Sequence, residues 1–253
     1  MLPLNLVGKR ALVTGGSRGI GRATALLLAR AGAQVGISYY ERHDEARGVV
    51  AELEQEGVPA WAYAGDVSDA RWVDRLFGRT LDEFGGLDIF VGNAGIWPTE
   101  HVPLALMTDE QWHRTVAVNL DSIFYTTRAA LRIMSAGGRV VLVSSTAGQR
   151  GEAGHGDYAA TKGGLISLVK GLAVEVAPHD ITVNCVAPGW VDTDMAAGSY
   201  AGSGMKQIAA GIPLGRVASA EDVAGPIAFL CSSLARHITG EIINVNGGSV
   251  LCG

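Results

Sequence analysis

The sequence predicts a doubly wound α/β fold in which one seven-stranded parallel sheet carries helices on both faces. Two observations predict it. Short β-branched runs alternate with longer helical segments along the whole chain, the pattern of βαβ units and a parallel sheet. The first strand also opens through a glycine turn directly into a helix, as at the start of a nucleotide-binding sheet. The 253 residues read as a single domain, 1–253, because no Pro-rich linker, internal repeat or low-complexity stretch breaks the alternation.

The strands fall at Arg10–Thr14, Gln34–Ser38, Ala60–Ala64, Asp88–Gly92, Arg139–Ser144, Ile181–Val186 and Glu241–Val245. The first helix, Gly21–Ala31, places Ile20, Ala23, Leu27 and Ala31 at helical spacing. Asp44–Gln55 is amphipathic, with its charges mostly on one side. A third helix follows Ser68, read as its cap, and runs to Phe84. One long helix starts at an N-cap on Thr108, with Gln111 three residues on, and continues to Met134. Asp157–Val176 is helical and is stopped by Pro178, and Ser219–Leu234 is the last helix. Gly92–Pro103 and Ala196–Ile212 are long enough to be site-forming loops.

Composition narrows the function. Apolar residues make up 48% and charged residues 18%, which suits a large core and a surface partly covered by other subunits. A net charge of -5 argues against a nucleic-acid partner and against an anionic membrane surface. Cys185, Cys231 and Cys252 are scattered without metal-ligand spacing and read as reduced thiols. No signal-peptide pattern precedes the first strand, and no apolar run approaches the roughly 20 residues that span a bilayer. The expected location is cytoplasmic.

Two constellations carry chemistry. Thr14-Gly15-Gly16-Ser17-Arg18-Gly19-Ile20-Gly21 joins the first strand to the first helix. Free N–H groups and the positive end of the helix dipole make such a turn an anion site. Gly15 permits the tight turn, Gly19 a close approach of backbone to phosphate, and Gly21 close packing of helix on strand. Thirteen residues after Ser145 comes Tyr158, and four later Lys162. Spacing i, i+4 sets tyrosine and lysine on one helix face. An ammonium near a phenol lowers the phenol's pKa and fits it for acid–base work. Ser144 competes with Ser145 for the serine position, and spacing to Tyr158 favours Ser145. His155 and Asp157 read as loop or helix-start residues, with His155 a pocket-lining candidate.

Taken in order, these residues resemble the short-chain dehydrogenase/reductase family in its single-domain form, over essentially the whole chain. Thr14-Gly15 with Gly19-Ile20-Gly21 matches its cofactor turn. Asp66-Val67 matches the pair at the adenine ring, Asn93-Ala94-Gly95 the motif after strand four, and Asn119 the asparagine of the long helix. Ser145, Tyr158 and Lys162 match the catalytic serine and Y-x-x-x-K. Pro188-Gly189 with Val191 and Thr193 matches the segment at the carboxamide and phosphates. The resemblance implies a Rossmann-type fold, a nicotinamide cofactor and an interconversion of carbonyl and secondary alcohol. In that reaction Tyr158 transfers the proton, Lys162 lowers its pKa and holds the nicotinamide ribose, and Ser145 orients the carbonyl. Asn119 positions a water that links Lys162 to solvent. It also implies a homotetramer, built through the two long helices and the final helix and strand.

The family's NAD users carry aspartate where this chain has Tyr39. Arg18 and Arg42 suit a 2′-phosphate, so NADP(H) is favoured, with NAD(H), gripped by Glu41, as the alternative. Ser17 completes the expected cofactor set. Pro188–Met195 and Ile212–Arg216 resemble the family's 3-oxoacyl thioester reductases. Those that take acyl carrier protein show basic residues before strands five and six, where this chain has Met134–Gly138 and Pro178-His179-Asp180. A secondary-alcohol, steroid or sugar dehydrogenase therefore stays open, as does a non-catalytic dinucleotide-binding module. The expected pocket lining is Ile96, Trp97, Gln149, His155, Trp190 and the loop after Met195.

Overall fold

The computed structural model describes residues 4–200 and 204–251, so Cys252 lies outside the described residues. Seven parallel strands form one sheet in the order β3-β2-β1-β4-β5-β6-β7. They are β1 (Arg10–Thr14), β2 (Gln34–Tyr39), β3 (Ala60–Ala64), β4 (Leu87–Gly92), β5 (Met134–Val143), β6 (Thr182–Pro188) and β7 (Ile242–Val245). β1 pairs with β2 on one side and β4 on the other, so the winding reverses between β1 and β4. Folds of this kind bind ligands at the carboxyl ends of the strands beside that reversal.

Alternate residues of each strand feed two cores. Ala11, Val13, Val35, Ile37, Ile89 and Val91 pack on one face against α1 (Gly19–Arg30), α2 (His43–Gln55) and α9 (Ala220–Leu230). Leu12, Phe90, Val140, Leu142 and Val183 pack on the other against α3 (Ala70–Phe84), α5 (Ser122–Ile133) and α7 (Gly156–Val176). Near-continuous apolar strands are what a sheet buried on both faces requires.

The helix boundaries depart from the sequence reading in instructive ways. The single helix expected over 108–134 is α4 (Asp109–Val116), a widened π-helical turn at Ala117–Asp121, and then α5. π-turns insert one residue into a helix and often mark functional positions. This one contains Asn119. The Thr108 hydroxyl caps α4 by accepting from Gln111 N at 3.2 Å, as its spacing predicts. At α3 the cap is Asp69, which accepts from Arg71 N. Ser68 instead donates its N–H and hydroxyl to Asp66. The loop expected before β5 is absorbed into an irregular strand start: Leu87 pairs with Met134, then Ile89 with Arg139. α9 stops at Leu230, and Ser232 caps a separate 3-10 turn at Ser233–Ala235. Two short helices lacked a sequence signal: α6 (Thr146–Arg150), and α8 (Gly204–Ala210) inside the loop expected over 196–212. Among the described residues no helix is long and apolar enough to cross a membrane, and no group of side chains has the makings of a metal site.

Candidate active site

The glycine turn lies at the carboxyl end of β1. Gly15 adopts φ +67°, and a Cβ there would stand 3.0 Å from the Cα of Ala94. Gly21 packs so closely that a Cβ would meet the Gly15 carbonyl oxygen at 2.2 Å. Both positions exclude a side chain, one by conformation and contact, the other by contact alone. The turn is fastened to the end of β4. The Thr14 hydroxyl accepts from Asn93 N and Ala94 N, and Asn93 Nδ2 donates to the carbonyls of Thr14 and Gly15. No side chain caps α1, so its first-turn N–H groups have no side-chain acceptor and form a ready anion site.

An elongated cavity runs from this turn across the ends of β2 and β3. Gly15, Ser17, Arg18, Gly19 and Ile20 line it from the turn, and Tyr39 and Arg42 from the end of β2. Asp66 and Val67 enter after β3, Asn93, Ala94 and Gly95 after β4, and Thr193 after β6. Gly21 lies beneath, in the packing of α1. Each arginine here faces a carboxylate. Arg18 Nη1 donates to Asp194 Oδ2 at 2.8 Å, Arg42 Nη1 to Glu45 Oε1 at 3.0 Å, and Arg114 Nη1 stands 3.6 Å from Asp66 Oδ2. Burial pushes the Asp66 carboxyl up, but hydrogen bonds from Ser68 and the charge of Arg114 hold it below the usual range. Arg18 and Arg42 both lower the Asp194 carboxyl, with the Arg18 hydrogen bond foremost. Arg114 is absent from the sequence reading, and Asp194 enters it only as part of the Pro188–Met195 segment, with no place in the cofactor cleft. No sequence signal marks Arg114, because Val118, the lining residue four positions on, is itself placed in the cleft only by the fold. Asp194 comes close to Arg18 only through the tertiary fold.

A second cavity continues from the first and shares Asn93, Gly95, Ile96 and Thr193 with it. Ser145, Tyr158, Lys162, Pro188, Gly189 and Val191 line it, beside Trp97 and Trp190. Ser145 caps α6, its Oγ accepting from Ala147 N at 3.1 Å. The competing Ser144 donates its hydroxyl to the carbonyl of Lys162 at 2.7 Å, which gives it a structural task. Lys162 Nζ donates to the Val143 carbonyl at 2.9 Å and stands 5.7 Å from the centre of the Tyr158 ring.

Electrostatics here run against the sequence expectation. Burial pushes the Tyr158 phenol up to about 12, while hydrogen bonding to Ser145 pulls the other way. Burial also lowers Lys162 to about 8. Desolvation penalises both charged forms, and it outweighs the Ser145 hydrogen bond at the phenol and the charge of Cys185 at the ammonium.

Asn119 is fully buried. Its Oδ1 accepts from Ile96 N at 2.8 Å and its Nδ2 donates to the Ile96 carbonyl at 2.9 Å. Both ends of the amide thus hold the peptide that carries the pocket wall. Asp157 is equally buried, and it accepts from Tyr158 N, Thr115 Oγ1 and Gln111 Nε2. The helix bearing Tyr158 is tied through it to α4. Two expected lining residues sit elsewhere. Gln149 Nε2 donates to Asn244 Oδ1 at 2.6 Å. His155 packs tilted against Trp97, ring centres 4.1 Å apart, while Trp97 meets Tyr158 edge-on at 4.6 Å. Arg150 and Glu152, paired at 2.8 Å, line the cavity in their place. Sequence spacing does not single them out, because α6, which sets their position, had no sequence signal.

Residues 15–249 match a family model described as enoyl-(acyl carrier protein) reductase. A 3-oxoacyl-[acyl-carrier-protein] reductase of Synechocystis sp. is 41% identical over 249 residues, which cover 97% of this chain and 98% of that protein. Among solved structures, a short-chain dehydrogenase from Burkholderia cenocepacia in complex with NADP superposes with a TM-score of 0.91. It is 39% identical, covering 97% of this chain and 99% of that one. A glucose/ribitol-type short-chain dehydrogenase/reductase from Brucella melitensis gives 0.92 at 32% identity, over 99% and 100% of the two chains. A fastened glycine turn, a serine–tyrosine–lysine cavity and end-to-end likeness to these proteins lead to one assignment: the chain belongs to the short-chain dehydrogenase/reductase family.

Proposed function

We propose that this protein, acting as one domain, is an NADP(H)-dependent oxidoreductase that interconverts a carbonyl and a secondary alcohol. One observation carries the reading: Ser145, Tyr158 and Lys162 line a cavity continuous with a cleft built for a dinucleotide. The residues present fit that cofactor. The uncapped first turn of α1 offers N–H groups to a pyrophosphate. Arg18 and Arg42, which jointly act on Asp194, supply two cations where a 2′-phosphate would sit, and Tyr39 replaces the aspartate of NAD users. Glu41 lines the same cavity and is the residue that an NAD(H) reading would use. The likeness to a relative solved with NADP supports the phosphorylated cofactor.

Once bound, the cofactor supplies the hydride and its acceptor. The chain supplies the proton and the orientation. Tyr158 gives its phenolic proton to the carbonyl oxygen in reduction and takes it back in oxidation, and Ser145 hydrogen-bonds the same oxygen. A phenol held at about 12 stays protonated at neutral pH, so the resting enzyme is the proton donor that reduction needs. Lys162 keeps a positive charge against the phenol. Asn119 holds the Ile96 wall. Its amide uses one acceptor and one donor site there and keeps one of each for a water that links it to Lys162.

Trp97, Trp190, Ile96 and Val191 give the pocket apolar walls, which suit a ketone, an acyl chain or a ring better than a polyol. The curated relative supports a 3-oxoacyl substrate, whereas the missing basic residues before β5 and β6 weigh against delivery by a carrier protein. We place the enzyme in the cytoplasm as a homotetramer. Trp112, Phe124 and Val174 stand exposed on α4, α5 and α7, and subunit contact would cover them. Replacing Tyr158 with Phe tests the mechanism. Carbonyl reduction should fall about 10²–10⁴-fold with NADPH affinity unchanged, and undiminished turnover would overturn it.

A further inference from the structure

α4 has two working faces. Gln111 and Thr115, four residues apart, bond Asp157 on the helix that bears Tyr158. Arg114 and, in the π-turn that follows, Val118, also four apart, line the cofactor cleft on the adjoining face. Only the first face is accounted for by the catalytic apparatus.

Arg114 is also not needed to orient Asp66. The Asp66 Oδ1 accepts from Ser68 N at 2.8 Å and from Ser68 Oγ at 2.6 Å, so the carboxylate is pinned from its own loop. The Arg114 Nη1 stands 3.6 Å from the other oxygen, beyond hydrogen-bond reach. Its side chain is about half exposed, leaving the guanidinium room to meet something else in the cleft. Val67 and Val118 line the same cavity. Apolar surface beside a planar, weakly hydrated cation is what an adenine ring takes, because guanidinium stacks on aromatic faces.

We infer that Arg114 is a cofactor-binding residue that contacts the adenosine end of the dinucleotide directly rather than through Asp66. This rests on the nicotinamide-dinucleotide reading above. Adenine is common to NADPH and NADH, whereas the 2′-phosphate is not. Arg114 therefore contributes to the affinity for both, while Arg18 discriminates between them.

Equilibrium titration of the full chain, followed by reduced-nicotinamide fluorescence, tests this with NADPH, NADH and reduced nicotinamide mononucleotide. Arg114→Ala and Arg114→Gln should each raise the Kd of NADPH and NADH about tenfold and leave the mononucleotide unchanged. Arg18→Ala should weaken NADPH alone. The Arg114→Ala penalty should persist in an Asp66→Asn background. Unchanged affinities, a loss confined to NADPH, or a penalty that vanishes with Asp66→Asn would each overturn the inference and leave the cofactor reading standing. Failure of the unaltered protein to bind either dinucleotide would overturn both.

Discussion

At the scale of single residues, the site separates neighbours that look interchangeable in sequence. Ser144 and Ser145 are adjacent hydroxyls at the end of one strand, yet one bonds a helix carbonyl and the other lines the pocket. Ser144→Ala should cost about 1 kcal/mol of stability, the typical net value of a hydrogen bond, with turnover changed little. Ser145→Ala should lower turnover about 10²-fold, the scale of losing one oxyanion-type donor, and cost about 1 kcal/mol as well through the lost cap on α6. Denaturant melts and steady-state rates on the two variants check both, and the reverse pattern of rates would transfer the catalytic role to Ser144. Tyr158 shows the same dependence on surroundings. Its spacing to Lys162 suggests a depressed pKa, but burial decides the sign.

At the scale of elements, α4 and α7 are joined by a buried carboxylate. Asp157 accepts three hydrogen bonds with no exposure. Burying a charge is tolerable only when it is hydrogen-bonded in this way. Its place in the first turn of α7 adds a favourable helix-dipole interaction. Asp157→Ala orphans Thr115 and frees the start of α7. It should cost about 3 kcal/mol of stability and lower turnover through Tyr158, while Asp157→Asn keeps an acceptor for Tyr158 N and recovers most of both. Denaturant titration alongside kcat on the pair checks this; an Asn variant as damaged as the Ala variant would show that charge, not geometry, matters there. The π-turn works on the same scale. By adding a residue between α4 and α5, it puts Asn119 against Ile96.

At the scale of the whole molecule, stability should fall in alkali. Burial pushes the Cys185 and Cys231 thiols from 9.0 up to about 12. Between those pH values the unfolded chain gives up protons that the native chain keeps. The stabilisation is therefore full below pH 9 and lost as pH rises towards 12. Each thiol is worth up to about 4 kcal/mol over that window. Tyr158 acts in the same sense above its ordinary value of 10.0, while Lys162, lowered to about 8, opposes them up to 10.5. Tm should drop from pH 9 to 11, and less steeply when both cysteines are alanine; an equally steep drop in that variant would contradict the assignment. Assembly belongs to this scale too. Light scattering should give the mass of four chains, and a monomer would leave Trp112, Phe124 and Val174 needing another explanation.

Local chemistry alone determined most of the architecture. Period-2 and period-3.6 patterns place strands and helices because burial of an apolar face depends on spacing along the chain, and a glycine turn after β1 announces an anion site for the same local reason. The order Asn119, Ser145, Tyr158, Lys162 is likewise readable as a string. Tertiary structure decided what spacing does not encode. It chose Asp69 over Ser68 as a cap, split one long helix with a π-turn and made α6 from residues without helical periodicity. It also packed His155 against Trp97 and brought Arg18 to Asp194 across 176 positions. Above all it set the sign of the Tyr158 shift, because desolvation depends on everything packed around a group, whereas sequence spacing reports only its neighbours along one helix.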